Sequence, residues 1–175
     1  GGAYIGATTA TLTNNSFKGN KGGYYGGGAQ IRAETVTLIN NSFTGNTTNS
    51  TGGGVDIGAT TATLTNNSIT GNTSGFIGGG VYISASTATL SNNTLAGNNA
   101  DWGGGVNLRL GDDETTDAAS LYNNLFWDNV AEYDADISID NDDDYDDIPT
   151  PVTLLANNFD PSAAGFSITL PITID

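Results

Sequence analysis

The sequence predicts an all-β fold, a right-handed parallel β-helix with three strands in each rung of about 26 residues. Three observations carry that expectation. Residues 78–98, GGGVYISASTATLSNNTLAGN, recur as aligned copies from residues 26 and 52, as a truncated copy at 1–20 and as a degenerate copy from 103. Ile5, Ile31, Ile57 and Ile83 share one spacing, and Leu12, Leu38, Leu64 and Leu90 share the same one. Asn pairs at 14–15, 40–41, 66–67, 92–93 and 123–124 keep a constant offset from those Leu residues. A fixed period of this size means stacked units, none of which can bury its apolar face alone.

Within the best copy, Val81 and Ile83 flank Tyr82, Ala88 and Leu90 alternate with Thr87, Thr89 and Ser91, and Leu95 sits between Thr94 and Ala96. Three period-2 segments separated by Gly or Asn read as three strands with one face buried. The Gly and β-branched content, with no 3.6-residue pattern, excludes helix. Each strand pairs in parallel with its equivalent one rung away, about 4.8 Å distant.

Like residues then stack in columns. Ile5, Ile31, Ile57, Ile83 and Leu108 form the first, Leu12, Leu38, Leu64, Leu90, Leu121 and Leu155 the second, and Phe17, Phe43, Ile69, Leu95 and Phe126 the third. Ala3, Ala29, Val55, Val81 and Val106 fill beside the first, and Ala10, Val36, Ala62 and Ala88 beside the second. The Asn pairs mark a sharp bend, where Asn tolerates the left-handed region and stacked amides form a ladder. A second Asn column, at 20, 46, 72, 98 and 129, closes the third strand. The N-x-S/T sequons at Asn66 and Asn92 are expected by-products of that ladder, on a corner with no room for a glycan.

The chain divides into regular rungs at 1–108 and irregular acidic rungs at 109–175. After Leu108 an insertion at 109–120 carries Asp112, Asp113, Glu114 and Asp117; Ile137 and Ile139 begin another first strand, 152–159 supply a final second strand and Asn corner, and 166–174 one or two more strands. The net charge of −15 is concentrated there. Residues 1–100 balance Lys18, Lys21 and Arg32 against Glu34 and Asp56, whereas later residues set Arg109 against all the remaining carboxylates. So acidic a chain is a poor ligand for nucleic acid, whose phosphates require a basic surface. With no Cys and no His, thiolate metal sites, disulfides and the commonest general base are excluded. No apolar run reaches the length of a membrane span. Opening on Gly1 inside a repeat, the chain reads as part of a longer exported polypeptide. Both ends fall mid-coil, so further rungs, or another copy stacked head to tail, are expected on the open strand edges.

Two motifs add a resemblance. GGA-x-I at 1–5, with F-x-x-N at 17–20 and 43–46, resembles the paired motifs of polymorphic outer-membrane protein repeats. More broadly, TATLTNNSITGN resembles the pectate-lyase-like β-helix regions of large bacterial surface proteins. The resemblance covers most of the chain and implies an extracellular or cell-surface setting in a bacterium. That superfamily includes adhesins, tailspikes and stalk-like modules as well as polysaccharide lyases and hydrolases, so fold alone does not give activity. Ile69 and Leu95 depart from F-x-x-N.

Three readings of function stay open. The leading one is a non-catalytic structural or adhesive module, self-associating end to end or meeting surface glycans. The second is polysaccharide binding or cleavage along the first strands, where Tyr4, Gln30, Asp56, Tyr82 and Asn107 form an outward column beside Arg32, Glu34 and Arg109. There Asp56 and Glu34, from adjacent rungs, are a candidate carboxylate pair, or simple surface partners of Arg32. Tyr24, Tyr25, Phe76, Ile77 and Trp102, on loops into the first strand, offer aromatic faces to sugars or fold back over the coil edge. The third reading lies on the second strands. Thr9, Thr11, Thr35, Thr37, Thr61, Thr63, Thr87 and Thr89 point outward as a grid similar to the T-x-T faces of ice-binding solenoids, or follow from β-propensity alone. No cofactor is required. Asp140, Asp142, Asp144 and Asp146 alternate in an acidic loop suited to weak Ca²⁺ binding, but Tyr145 and Pro151 break the EF-hand pattern.

Overall fold

The structure, a computed structural model, describes residues 1–111, 117–141, 152–159 and 172–174. It is a right-handed parallel β-solenoid, as the repeat requires, and every strand pairing is parallel. The described residues contain no helix, hence none long and apolar enough to cross a membrane.

The predicted columns are the observed registers. Ile5, Ile31, Ile57, Ile83 and Leu108 are successive partners, and the column continues to Ile139. Leu12, Leu38, Leu64, Leu90 and Leu121 follow in the same way. Phe17 stacks on Phe43 with ring centroids 4.8 Å apart, and Phe126 on Phe159 at 5.2 Å. From Ala29 to Leu95 these core side chains are sealed from solvent, so each rung draws its apolar stabilisation from its two neighbours.

Strand organisation differs from the expectation in three places. In the two central rungs the first and second strands fuse into single 11-residue strands, Val55–Thr65 and Val81–Ser91. One sheet of eleven strands therefore carries both faces, and a five-stranded sheet carries the third. The loops returning to the first strand also pair, as a four-stranded edge sheet of Thr47–Thr48, Thr73–Ser74, Asn99–Trp102 and Val130–Tyr133. Finally, the first strand does not end at Leu108: Arg109 and Leu110 pair with Ser84 and Ala85, and the second strand resumes at Ala118 opposite Thr87.

The last rung corrects the second column. Leu154, not Leu155, pairs with Leu121, and Leu155 is exposed. Burying Val152 and Leu154 sets this register, and a slip of one residue would turn both outward. The Asn corner shifts accordingly: Ala156 takes the left-handed position held by Asn123, and Asn157 continues the ladder from Asn124. Residues 160–171 lie outside the described set; Ile172–Ile174 pairs with Val152–Leu155.

The two Asn of each pair do different work. The first, at 14, 40, 66, 92 and 123, turns the chain at φ 52–60 and is exposed. The second is bonded along the stack and, from Asn41 to Asn124, buried. Thus Asn66 and Asn92, the sequon residues, sit outside the ladder, and the stacked amides are Asn67 and Asn93. The second column behaves alike from Asn20 to Asn129. There the next acceptor is the buried carboxylate of Asp136, 3.0 Å from Asn129 Nδ2. Asp136 occupies the register of Gly105, the third residue of a Gly triplet. Those triplets are steric: a Cβ on Gly53 would lie 2.2 Å from the Gly79 carbonyl oxygen.

Candidate functional site

The first strands bring together most of the residues expected to carry chemistry. Gln30, Asp56, Tyr82 and Asn107 are in register across four rungs, and Arg32, Gly58, Ser84 and Arg109 run parallel two residues further on. A groove of about 490 Å³ opens over these columns, bordered by Tyr25, which bridges to Thr51 on the loops into the first strand.

Asp56 does not point into solvent as a strand position alone would imply. Its side chain is completely buried, clasped between two neighbours. The Thr51 hydroxyl, on the edge column, donates to one carboxylate oxygen, and the Arg32 guanidinium pairs with the other. Arg32 reaches it by lying across Gly58, where a Cβ would meet Arg32 Cδ at 2.9 Å. The guanidinium also donates to the Ile31 carbonyl at 3.0 Å and sits 5.8 Å from the centre of the Tyr25 ring. Burial pushes the Asp56 carboxyl above its ordinary value, and the Thr51 hydrogen bond and Arg32 charge only partly oppose it.

Glu34 is not part of this constellation. It is exposed at the bend between first and second strands, with its carbonyl accepting from Thr60 and Thr61. It does not line the groove, whereas Asp56 does, buried and held by Thr51 and Arg32.

The aromatic residues divide. Tyr25 and Tyr82 line the groove. Trp102 lies in the same edge column as Tyr25, through Thr51 and Ile77, but three rungs away, and stacks on Tyr133 at 4.2 Å. Tyr24, Tyr25, Phe76 and Trp102 stay substantially exposed instead of folding fully over the coil edge. Thr51, Gly58 and Ser84 were missed as groove residues. Their signal was the 26-residue period itself, which places Thr51 over Tyr25 and Gly58 over Arg32.

Thr9, Thr35, Thr61 and Thr87 are successive partners, and so are Thr11, Thr37, Thr63 and Thr89. Of the acidic loop, Asp140 lies on the strand Ile137–Asn141, opposite Arg109 in register. Asp142, Asp144 and Asp146 lie outside the described residues. Among the described residues no three carboxylates gather as a metal site.

Fold and groove together define a parallel β-solenoid with an open groove of polar and aromatic side chains over its first strands. The chain belongs to the family of right-handed β-helix regions, whose model matches residues 1–126. No curated protein and no solved structure matches it.

Proposed function

We propose that the chain is a non-catalytic adhesive module of an exported or surface-anchored bacterial protein, holding an extended saccharide in the groove over its first strands. The carrying observation is the groove itself. Tyr25 and Tyr82 supply ring surfaces, and Gln30, Ser84 and Arg109 supply polar atoms along one line of rungs, the mixture by which a sugar's apolar faces and hydroxyls are matched. Asp56, the residue nearest to an acid catalyst, is committed to Arg32 and Thr51, which favours holding over cutting.

A glycan array paired with a reducing-sugar assay tests this reading. Binding without release of reducing ends is expected, with Tyr25→Ala weakening it. Release of product, or silence across the array, overturns it. Protease treatment of intact cells of the source bacterium tests the surface setting.

A further inference from the structure

We propose that the outward face of the second strands is a second binding surface, whose partner is the ordered surface of ice. The face is a two-dimensional lattice. Its central column is hydroxyl through six rungs, Thr11, Thr37, Thr63, Thr89, Ser120 and Thr153, and Thr9, Thr35, Thr61 and Thr87 run beside it for four. Parallel strands set the repeat at about 4.8 Å from rung to rung and about 6.6 Å along a strand, close to oxygen repeats on the prism faces of ice.

Three further observations separate this face from an ordinary threonine-rich strand surface. Among the described residues, none of the eight Thr hydroxyls in these two columns has a hydrogen-bond partner within the protein, so all are available to water. Several hydroxyls elsewhere are engaged within the protein: Thr65 with Ser91 at 3.0 Å, Ser42 with Thr44 at 3.1 Å, and Thr51 with Asp56. Next, the columns carry no ionisable side chain, although the whole chain bears a charge of −15. A charge would impose its own hydration shell and disorder a water lattice, so neutrality is what this partner needs. Lastly, the sheet is packed from beneath. Val36, Leu38, Ala62, Leu64, Ala88 and Leu90 alternate with the Thr residues and are sealed in the core. Each Thr also carries a methyl group beside its hydroxyl, apolar surface that does not compete for the hydrogen bonds of an ordered water layer. Glu34, at the bend, marks the margin of the face, and Ile39 and Tyr122 interrupt its third column.

The test is ice-crystal growth in a nanolitre osmometer with the full chain, together with partition into a slowly growing ice hemisphere. Faceted crystals, a freezing hysteresis and enrichment in the ice are expected. Thr63→Lys places a charge in the middle of the lattice and should abolish most of that activity, whereas Thr70→Lys, on the third strand, should leave it intact. Matching melting temperatures for both variants and the parent show that folding is unaffected. Ordinary crystal growth with no enrichment overturns the proposal. So does a dimer in sedimentation that Thr63→Lys dissolves, because the face would then be covered by a second copy. Adsorption to crystalline chitin or cellulose without hysteresis likewise assigns the face to another solid.

Discussion

Asn67 donates both its backbone N–H, at 2.9 Å, and its side-chain N–H, at 3.0 Å, to the one side-chain oxygen of Asn93. It accepts the same two bonds from Asn41 and gives its other side-chain hydrogen to the Leu38 carbonyl. Asn67→Ala removes the acceptor of two buried N–H groups on Asn41 and a donor to the Leu38 carbonyl, which should cost about 3 kcal/mol. Asn66 has only to hold a left-handed turn. Asn66→Gly should therefore stay within about 0.5 kcal/mol of the parent and Asn66→Ala should lose about 1 kcal/mol. Urea unfolding of the three variants checks the division of labour; equal losses at 66 and 67 would refute it.

The ion pair of Asp56 with Arg32 predicts an asymmetry. Arg32→Ala leaves a fully buried carboxylate with Thr51 alone, whereas Asp56→Asn leaves a partly exposed guanidinium that water can reach. The Arg32 variant should be the less stable of the two at pH 7, with midpoints in urea as the measurement.

Acidity adds a second test of the same residue. The folded carboxyl binds its proton more tightly than the unfolded one. Its contribution to stability is therefore complete below the unfolded value of 3.8 and is lost as pH rises through the higher folded value. The stability of the parent relative to Asp56→Asn should fall between pH 3.5 and pH 7. A constant difference across that interval would mean that burial does not govern the group.

Gly58→Ala puts a methyl group into the path of the Arg32 side chain. The expected outcome is a displaced guanidinium, a loss of about 1–3 kcal/mol from the uncompensated Asp56 and a reshaped groove. Thermal unfolding and saccharide titration report the two effects separately.

Thr48 is buried in the edge sheet, and its hydroxyl has no hydrogen-bond partner among the described residues. In its register, later rungs carry Ser74, Ala100 and Ala131. Thr48→Val keeps the shape and removes the unmatched hydroxyl, so it should stabilise the chain by about 1 kcal/mol. A destabilised variant in urea would mean that the hydroxyl is satisfied after all.

The columns of Ile5 and Leu12 were legible because like residues stack on like at a fixed interval, and the interval survives in the sequence without any knowledge of the third dimension. The edge sheet was not, because Thr47–Thr48 and Thr73–Ser74 are too short and too polar to show an alternation. Asn157–Asn158 reads as another corner pair and so points to Leu155, but the true corner opens with Ala156 and seats Leu154 in the column. The burial of Asp56 depends on Arg32 from the preceding rung and Thr51 from a loop. A strand pattern records which side a residue faces, but not what later folds over it. The register of the Thr9 and Thr11 columns follows from alternation and period, but their continuation to Ser120 and Thr153 does not, because the spacing changes after Leu108.

The carboxylate of Asp136, seated on Asn129, gives the two seams of the coil different closures at one height. Asn124 meets a neutral amide at Asn157, whereas Asn129 meets a carboxylate, the better acceptor. One rung therefore grips its neighbour by two unlike clasps, and the Asn129 side is the firmer of them.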